Sequence, residues 1–213
     1  MKNTKLIIFD MDGTMLDTEP VSLEGIIYAG KILGVDISKE VGESLMGKSL
    51  VRCHDILRTN YGENFDTDKA FKLHIEYVDE FFEKNGVPVK AGIFELLDKL
   101  DSLRIKKRVA TSTVTARAKE KLAKANLAHR FEEIIGGDEV ENGKPSPDIF
   151  LKAARGFSPH ECVVIEDTEA GILGASAANI PVIAVPDIAP LTKEIRAKAF
   201  LVCADLHEVA GLF

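Results

Sequence analysis

Six short apolar runs alternate with segments of helical periodicity, and this alternation constrains the fold more than any other feature of the sequence. The runs cover residues 6–9, 108–111, 133–136, 162–165, 181–185 and, more weakly, 199–202. Between them, apolar residues recur at helical spacing over residues 91–103, 115–125 and 147–154. Strands that alternate with helices predict an α/β fold with a doubly wound parallel sheet.

The alternation is interrupted between residues 18 and 85, where the sequence predicts no strand. Apolar residues recur there at helical spacing, as at Phe71, Ile75 and Val78, and predict three to five helices inserted after the first strand. We therefore predict two domains. An α/β core is formed by residues 1–15 and 88–213, and a helical domain is formed by residues 16–87.

The composition excludes several classes of partner. With 213 residues and 46% hydrophobic positions, the chain is long enough for one large core and a smaller unit. Its net charge of −7 opposes a nucleic-acid partner, because phosphate backbones are bound mainly by clustered Lys and Arg. Three scattered cysteines fit a reducing compartment. The first apolar run is too short for a signal peptide or a membrane span, so we expect a cytoplasmic protein without a membrane partner.

Two acids follow the first strand. Asp10 and Asp12 are spaced i, i+2, so their side chains share one face of an extended segment. Gly13 allows the chain to turn there, and the turn aims both carboxylates into one pocket. One acid would act as a nucleophile or metal ligand and the other as a general acid. The alternative is a hydrated Asp-Gly turn.

Polar side chains also follow three of the other strands. Hydroxyl residues 111–113 precede a helix, a position that suits a phosphate. Lys144 is restrained by neighbouring prolines. Glu166 and Asp167 are adjacent to each other in the sequence, and their charges repel unless a cation lies between them. Taken singly, each feature has another explanation. The hydroxyl residues also fit a helix cap, Lys144 also fits a solvated loop lysine, and the acid pair also fits a capping acid.

Together these residues favour a phosphate site, because the carboxyl ends of parallel strands bind ligands in open α/β sheets. The four carboxylates carry −4, whereas one Mg²⁺ and Lys144 supply +3, which leaves −1. Carboxylate oxygens are the ligands that Mg²⁺ prefers, often together with substrate phosphate. The sequence therefore predicts a magnesium-assisted phosphate-binding site.

The order and spacing of these motifs resemble those of the haloacid dehalogenase superfamily, in its phosphatase and β-phosphoglucomutase-like branch. Residues 10–14 resemble the first motif of that family, Thr111 the second, Lys144 the third and Glu166–Asp167 the fourth. The inserted helices resemble the family's cap. The resemblance extends over nearly the whole chain.

The resemblance implies a role for each residue. Asp10 would attack phosphorus, and Asp12 would protonate the leaving alcohol and then activate water. Mg²⁺ would be held by Asp10, the main-chain carbonyl of Asp12 and Asp167, with Glu166 acting either directly or through another ligand. The transferring phosphoryl group would be held by Thr111, Lys144 and the N–H of Ser112.

The cap would close over the site, with residues 43–52 as its substrate-facing loop. Lys48 and Arg52 would contact a polar or anionic group of the substrate, although each also fits a solvated helix start. We expect a monomeric phosphatase that acts on a small phosphorylated metabolite, a sugar phosphate for example, through an aspartyl-phosphate.

Three alternatives remain open at this stage. A β-phosphoglucomutase is one, but the resemblance places its cap histidine and arginine at Ser22 and Leu50 here. A non-catalytic phospho-accepting signalling domain also uses clustered Asp, Thr or Ser, Lys and Mg²⁺, but it is usually shorter and lacks the helical insertion. A catalytically silent binding protein on the same fold is the third.

Overall fold

The parallel sheet predicted from the alternation is present in the computed structural model, which describes residues 1, 3–48, 50–188 and 190–213. Its strands run in one direction, in the order β3-β2-β1-β4-β5-β6. They are β1 (Leu6–Phe9), β2 (Lys106–Ala110), β3 (Glu133–Ile135), β4 (Cys162–Glu166), β5 (Val182–Ala184) and β6 (Leu201–Val202). The predicted doubly wound α/β fold is confirmed.

The helices of the described residues fall into two groups. The first group lies in the predicted insertion: α1 (Glu19–Ile32), α2 (Lys39–Leu45), α3 (Leu50–Tyr61) and α4 (Thr67–Asn85). The second group accompanies the sheet: α5 (Ile93–Ser102), α6 (Thr115–Lys124), α7 (Asp148–Ala153), α8 (Glu169–Ala177), α9 (Lys193–Arg196) and α10 (Leu206–Ala210). Short 3₁₀ turns cover Ala128–Arg130, Gly137–Glu139 and Pro159–Glu161.

The chain divides into two compact units. The core unit comprises Met1–Asp17 and Val87–Phe213, and the helical unit comprises Thr18–Gly86. These bounds lie within two residues of the domains predicted from the sequence. That the helical unit serves as a cap stays a prediction.

Both faces of the sheet in the core unit are buried. Leu6 and Ile8 of β1 belong to one apolar cluster with residues of α7, α8 and α9. Because side chains alternate along a strand, Ile7 and Phe9 point to the opposite face, and both are also fully buried. Burial on two faces explains why β1 reads as a continuous apolar run.

The helical unit has an apolar core of its own. Ile26 and Ala29 of α1 pack with Ile37, Leu57 of α3 and Ala70 of α4. A separate cluster of this kind accounts for the helical periodicity of a segment that contributes no strand to the sheet.

The segment predicted as a substrate-facing loop, residues 43–52, is mostly helical, so that prediction was wrong about local structure. Helix α2 continues to Leu45 and α3 begins at Leu50, with a short turn between them at Gly47, whose φ is +66°. Ser38 caps α2 by accepting a hydrogen bond from the N–H of Val41. Residue 49 of this segment lies outside the described residues.

The two linkers, which are the segments of the core unit that directly precede and follow the helical unit (residues 15–17 and 87–90), are paired with each other. The N–H of Asp17 donates to the carbonyl of Pro88 at 2.9 Å, and the N–H of Lys90 donates to the carbonyl of Met15 at 2.9 Å. Lys90 Nζ also binds Asp17 Oδ1 at 2.7 Å and Asp187 Oδ1 at 2.6 Å. One half-buried lysine therefore ties both linkers to the segment after β5.

Across the part of the chain that the structure describes, no helix is both long enough and apolar enough to cross a bilayer.

Candidate active site

The predicted acids and hydroxyls meet at the carboxyl edge of the sheet. Strand β1 lies between β2 and β4, and Asp10 directly follows it, with its N–H donating to the carbonyl of Ile165 at 3.0 Å. Thr111 follows β2, and Glu166 is the last residue of β4. Residues more than 150 positions apart in the chain thus lie on neighbouring strand ends.

Lys144 lies between two buried carboxylates. Its Nζ binds Asp10 Oδ1 at 2.5 Å and Glu166 Oε1 at 2.7 Å. The Lys144 side chain is 4% exposed and lies with Nζ 5.0 Å from the ring centroid of Phe150. The loop lysine that the sequence singled out is therefore a buried cation in contact with the predicted nucleophile.

Burial controls the protonation of this group of residues. Burial raises the pKa of Asp10 to about 7, and the neighbouring Glu166 carboxylate adds to that rise while Lys144 opposes it. Burial alone would lower the pKa of Lys144, but the Asp10 and Glu166 carboxylates raise it above its ordinary value. Lys144 therefore stays positively charged, but its charge does not fully offset the effect of burial on the pKa of Asp10.

Glu166 is held from its other side by the start of α8. Its Oε2 accepts hydrogen bonds from the N–H of Thr168 at 2.6 Å and from Thr168 Oγ1 at 2.9 Å. A Cβ at Gly171 would come within 1.6 Å of Glu166 Oε1, so only glycine fits there. With both oxygens bound to donors, Glu166 supports Lys144 in this structure.

Asp167 contacts the turn that follows β1. Its Oδ1 accepts a hydrogen bond from Thr14 Oγ1 at 2.6 Å, and both residues are buried. Gly13 has φ +82°, and a Cβ there would lie 2.4 Å from Asp167 Oδ2. The glycine of the first motif is therefore required both for the turn and for the approach of the Asp167 carboxylate. The sequence did not identify Thr14 as an Asp167 partner, although it lies within that motif.

Asp12 is held by residues that sequence reasoning missed. Thr113 Oγ1 donates to Asp12 Oδ2 at 2.9 Å, and Lys121 Nζ binds Asp12 Oδ1 at 2.8 Å. Thr113 belongs to the hydroxyl cluster noted in the sequence. Lys121 carries no motif signal, since it lies in the second half of a helix among other lysines.

The predicted phosphate ligands on the segment after β2 differ in exposure. Thr111 is buried, and its Oγ1 accepts a hydrogen bond from the N–H of Thr113 at 3.2 Å. Ser112 is exposed. The carbonyl of Ser112 lies close to Gly137, where a Cβ would approach it to 2.6 Å. This close packing fixes the backbone that carries the Ser112 N–H.

Lys48 and Arg52 belong to the helical unit. Lys48 lies in the turn after α2, Arg52 lies in the first turn of α3, and both side chains are exposed. Their predicted contact with substrate stays a prediction.

The site suits a divalent cation held by few protein ligands. Among the described residues, no three His, Cys, Asp or Glu side chains are grouped to hold a metal ion. The set that the family resemblance implies consists of the Asp10 and Asp167 carboxylates and the main-chain carbonyl of Asp12, with Glu166 acting either directly or through another ligand. Two lysines contact the acids of the site: Lys121 binds Asp12, and Lys144 binds Asp10 and Glu166. Burial is the main cause of the raised pKa of Asp10, and the Glu166 and Asp12 carboxylates add to the rise. Carboxylate and carbonyl oxygens of this kind are hard donors that fit Mg²⁺.

Comparison with known proteins identifies similar sequences and structures. A family model described as haloacid dehalogenase-like hydrolase matches residues 7–185. A phosphorylated carbohydrates phosphatase of Thermotoga maritima is 31% identical over 176 residues, covering 82% of this chain and 81% of that protein. Hexitol phosphatase A of Escherichia coli is 32% identical over 186 residues, covering 85% and 82%. A β-phosphoglucomutase structure from Clostridium difficile has a TM-score of 0.77 and 26% identity, covering 97% and 93% of the two chains.

Proposed function

Because the chain belongs to the haloacid dehalogenase-like hydrolase family, and is therefore an enzyme, we propose that it is a Mg²⁺-dependent phosphatase of small phosphomonoesters. The observation that carries this proposal is the buried contact of Asp10 with Lys144 at the carboxyl end of β1. A phospho-accepting signalling domain and a silent binding protein are set aside, because the similar proteins named above are two phosphatases and a β-phosphoglucomutase.

Asp10 attacks phosphorus in the first step. Lys144 binds Oδ1, so Oδ2 forms the new bond to phosphorus while the bond from phosphorus to the ester oxygen breaks. Asp12 gives its proton to that leaving oxygen, and the alcohol departs. The product on the enzyme is an aspartyl-phosphate.

Water completes the reaction. Asp12, now a carboxylate, takes a proton from a water molecule, whose oxygen attacks the phosphorus of the aspartyl-phosphate. The bond to Asp10 breaks, inorganic phosphate leaves and Asp10 returns to its starting form. One carboxyl group thus acts as acid in the first step and as base in the second.

The phosphoryl oxygens require positive charge and N–H donors in both steps. Lys144, the Thr111 hydroxyl and the Ser112 N–H are the groups of this chain that would supply them. Asp10, Asp167 and the main-chain carbonyl of Asp12 would hold Mg²⁺, which supplies charge neutralisation when bound.

A phosphorylated carbohydrate is the substrate class that we favour. One relative is named for phosphorylated carbohydrates and another for hexitol phosphates. Lys48 and Arg52 of the helical unit would contact the substrate outside its phosphate, and this unit would act as a cap that excludes water. We propose that the enzyme works as a monomer.

A phosphosugar mutase is the second candidate, favoured by the similarity to a β-phosphoglucomutase structure. Ser22 and Leu50 stand where the resemblance places the mutase's cap histidine and arginine. Ser22 Oγ instead lies 2.8 Å from His74 Nε2 within the helical unit. Net hydrolysis therefore remains the first choice.

The test is phosphate release from a panel of sugar and sugar-alcohol phosphates with Mg²⁺ and with EDTA. We expect the wild type to release phosphate only with Mg²⁺, and Asp36→Asn, a substitution at an exposed site, to behave in the same way. We expect Asp10→Asn to release no phosphate. Conversion of glucose 1-phosphate to glucose 6-phosphate without net release would favour the mutase.

A further inference from the structure

We propose that Lys121 is a positioning residue that orients the Asp12 carboxyl group, which carries the proton for the leaving oxygen. The inference deepens the proposed phosphatase function and rests on it. It starts from the contact between Lys121, in the second half of α6, and Asp12, in the turn after β1. The two residues are 109 positions apart in the sequence, and Lys121 lies outside the family motifs.

Both oxygens of Asp12 have a donor from the same segment of chain. Lys121 Nζ lies 2.8 Å from Oδ1, and Thr113 Oγ1 lies 2.9 Å from Oδ2. The backbone beneath Asp12 is also fixed, since the N–H of Gly13 donates to the carbonyl of Leu16 at 2.9 Å. A carboxylate bound at both oxygens on a fixed backbone has one orientation.

Lys121 differs from its helical neighbours. Its side chain is 14% exposed and reaches back to the sheet edge. Lys119 is exposed, and Lys124 binds Glu120 of the same helix at 2.9 Å. A lysine that is largely removed from water beside one acid holds that acid through a charge-assisted hydrogen bond. Lys119 offers a matched control of equal charge on the same helix.

Orientation of an acid matters only where a proton is transferred. A sugar alkoxide is a poor leaving group and needs the proton of Asp12, whereas p-nitrophenolate leaves without one. General acids contribute about 10²–10⁴-fold to such steps. Loss of the Lys121 contact should therefore impair cleavage of alkyl phosphates more than cleavage of aryl phosphates, whereas a purely structural defect would impair both equally.

The experiment compares kcat/KM for a hexose phosphate and for p-nitrophenyl phosphate, because this constant includes phosphoryl transfer to Asp10. We expect Lys121→Met to lose about tenfold or more on the hexose phosphate and less than about threefold on the aryl ester. Lys121→Arg should recover part of the loss, and Lys119→Met should match the wild type on both substrates. Thr113→Val, which removes the other donor, should show the same selectivity and carries the test if Lys121→Met does not fold.

Two outcomes would overturn the inference alone: an equal loss on both esters, or a Lys121→Met enzyme that matches Lys119→Met. If the wild type releases no phosphate from either ester, the proposed function fails and the inference fails with it.

Discussion

Asp10 and Glu166 are two buried carboxylates that share one lysine, and this imbalance is measurable without substrate. Because burial raises the pKa of Asp10 to about 7 from 3.8, the folded protein binds a proton between these pH values that the unfolded chain releases. The contribution of Asp10 to stability is therefore greatest below about pH 4 and is lost as pH rises through 7.

We predict that metal-free wild type loses stability from pH 5 to pH 7 relative to Asp10→Asn, which cannot titrate at this position. The free energy of unfolding falls by about 1.4 kcal/mol for each pH unit over which Asp10 is protonated in the folded protein but not in the unfolded chain. Urea unfolding of both proteins in EDTA at several pH values measures it. Parallel pH profiles for the two proteins would contradict the raised pKa.

Removal of the Lys144 ammonium group, which Asp10 and Glu166 share, should affect both phosphate release and the free energy of unfolding. In Lys144→Met, the two acids lose their partner, and breaking a buried pair in this way costs about 3–5 kcal/mol. We expect lower stability in urea, partly restored at pH 5, because Asp10, whose pKa is raised by burial, is neutralised by a proton there. Loss of phosphate release with unchanged stability would show that Asp10 and Glu166 do not depend on Lys144 for folding.

At the residue scale, the sequence identified Asp10 and Glu166 because they stand at the ends of apolar strands, and Lys144 because it lies beside prolines in the loop before a helix. Lys121 could not be found in this way. Its role depends on how α6 lies against the turn after β1, and a lysine in a lysine-rich helix reads as solvated.

Helix α8 positions Glu166 through a glycine. A Cβ at Gly171 would overlap Glu166 Oε1, so Gly171→Ala must displace the carboxylate that supports Lys144. We predict a loss of stability of about 1–3 kcal/mol and a fall in phosphate release. Gly143→Ala is the control, because nothing lies within 4 Å of a Cβ there. Equal behaviour of the two variants in thermal melts and assays would argue against this packing constraint.

The paired linkers provide a second element that can be tested. Lys90 binds Asp17 and Asp187 while 21% exposed, whereas Lys84 and Glu80 form an ion pair on α4 with both side chains 67% exposed. We predict that Lys90→Met costs about 1–3 kcal/mol, because charged hydrogen bonds away from water are lost. Lys84→Met should change stability by less than about 0.5 kcal/mol. Denaturant midpoints of both variants measure the difference.

At the scale of elements, the strands were predicted to within about two residues. Burial makes β1, β4 and β5 read as apolar runs, whereas β2 begins with the exposed Lys106 and both residues of β6 are exposed. Residues 43–52 were predicted to be the substrate-facing loop of the cap. Helix α2 nevertheless forms, since Ser38 caps it and Leu45 packs in the core of the helical unit. Capping and tertiary burial overrode local composition.

At the scale of the whole molecule, alternation of strands and helices predicted the fold class and the helical insertion. The order of strands in the sheet required the pairing itself, because parallel strands joined by helices leave several orders open. We propose that the choice of substrate depends on side chains of the helical unit such as Lys48 and Arg52, rather than on the motifs of the core unit.

The account as a whole depends on Asp10 becoming covalently phosphorylated. The most direct measurement mixes enzyme, Mg²⁺ and a ³²P-labelled sugar phosphate, quenches the mixture in acid within one turnover and locates the label by peptide mapping. The account predicts a hydroxylamine-sensitive acyl phosphate on Asp10 that is absent from Asp10→Asn. Phosphate release without label on the protein, together with full activity of Asp10→Asn, would contradict it.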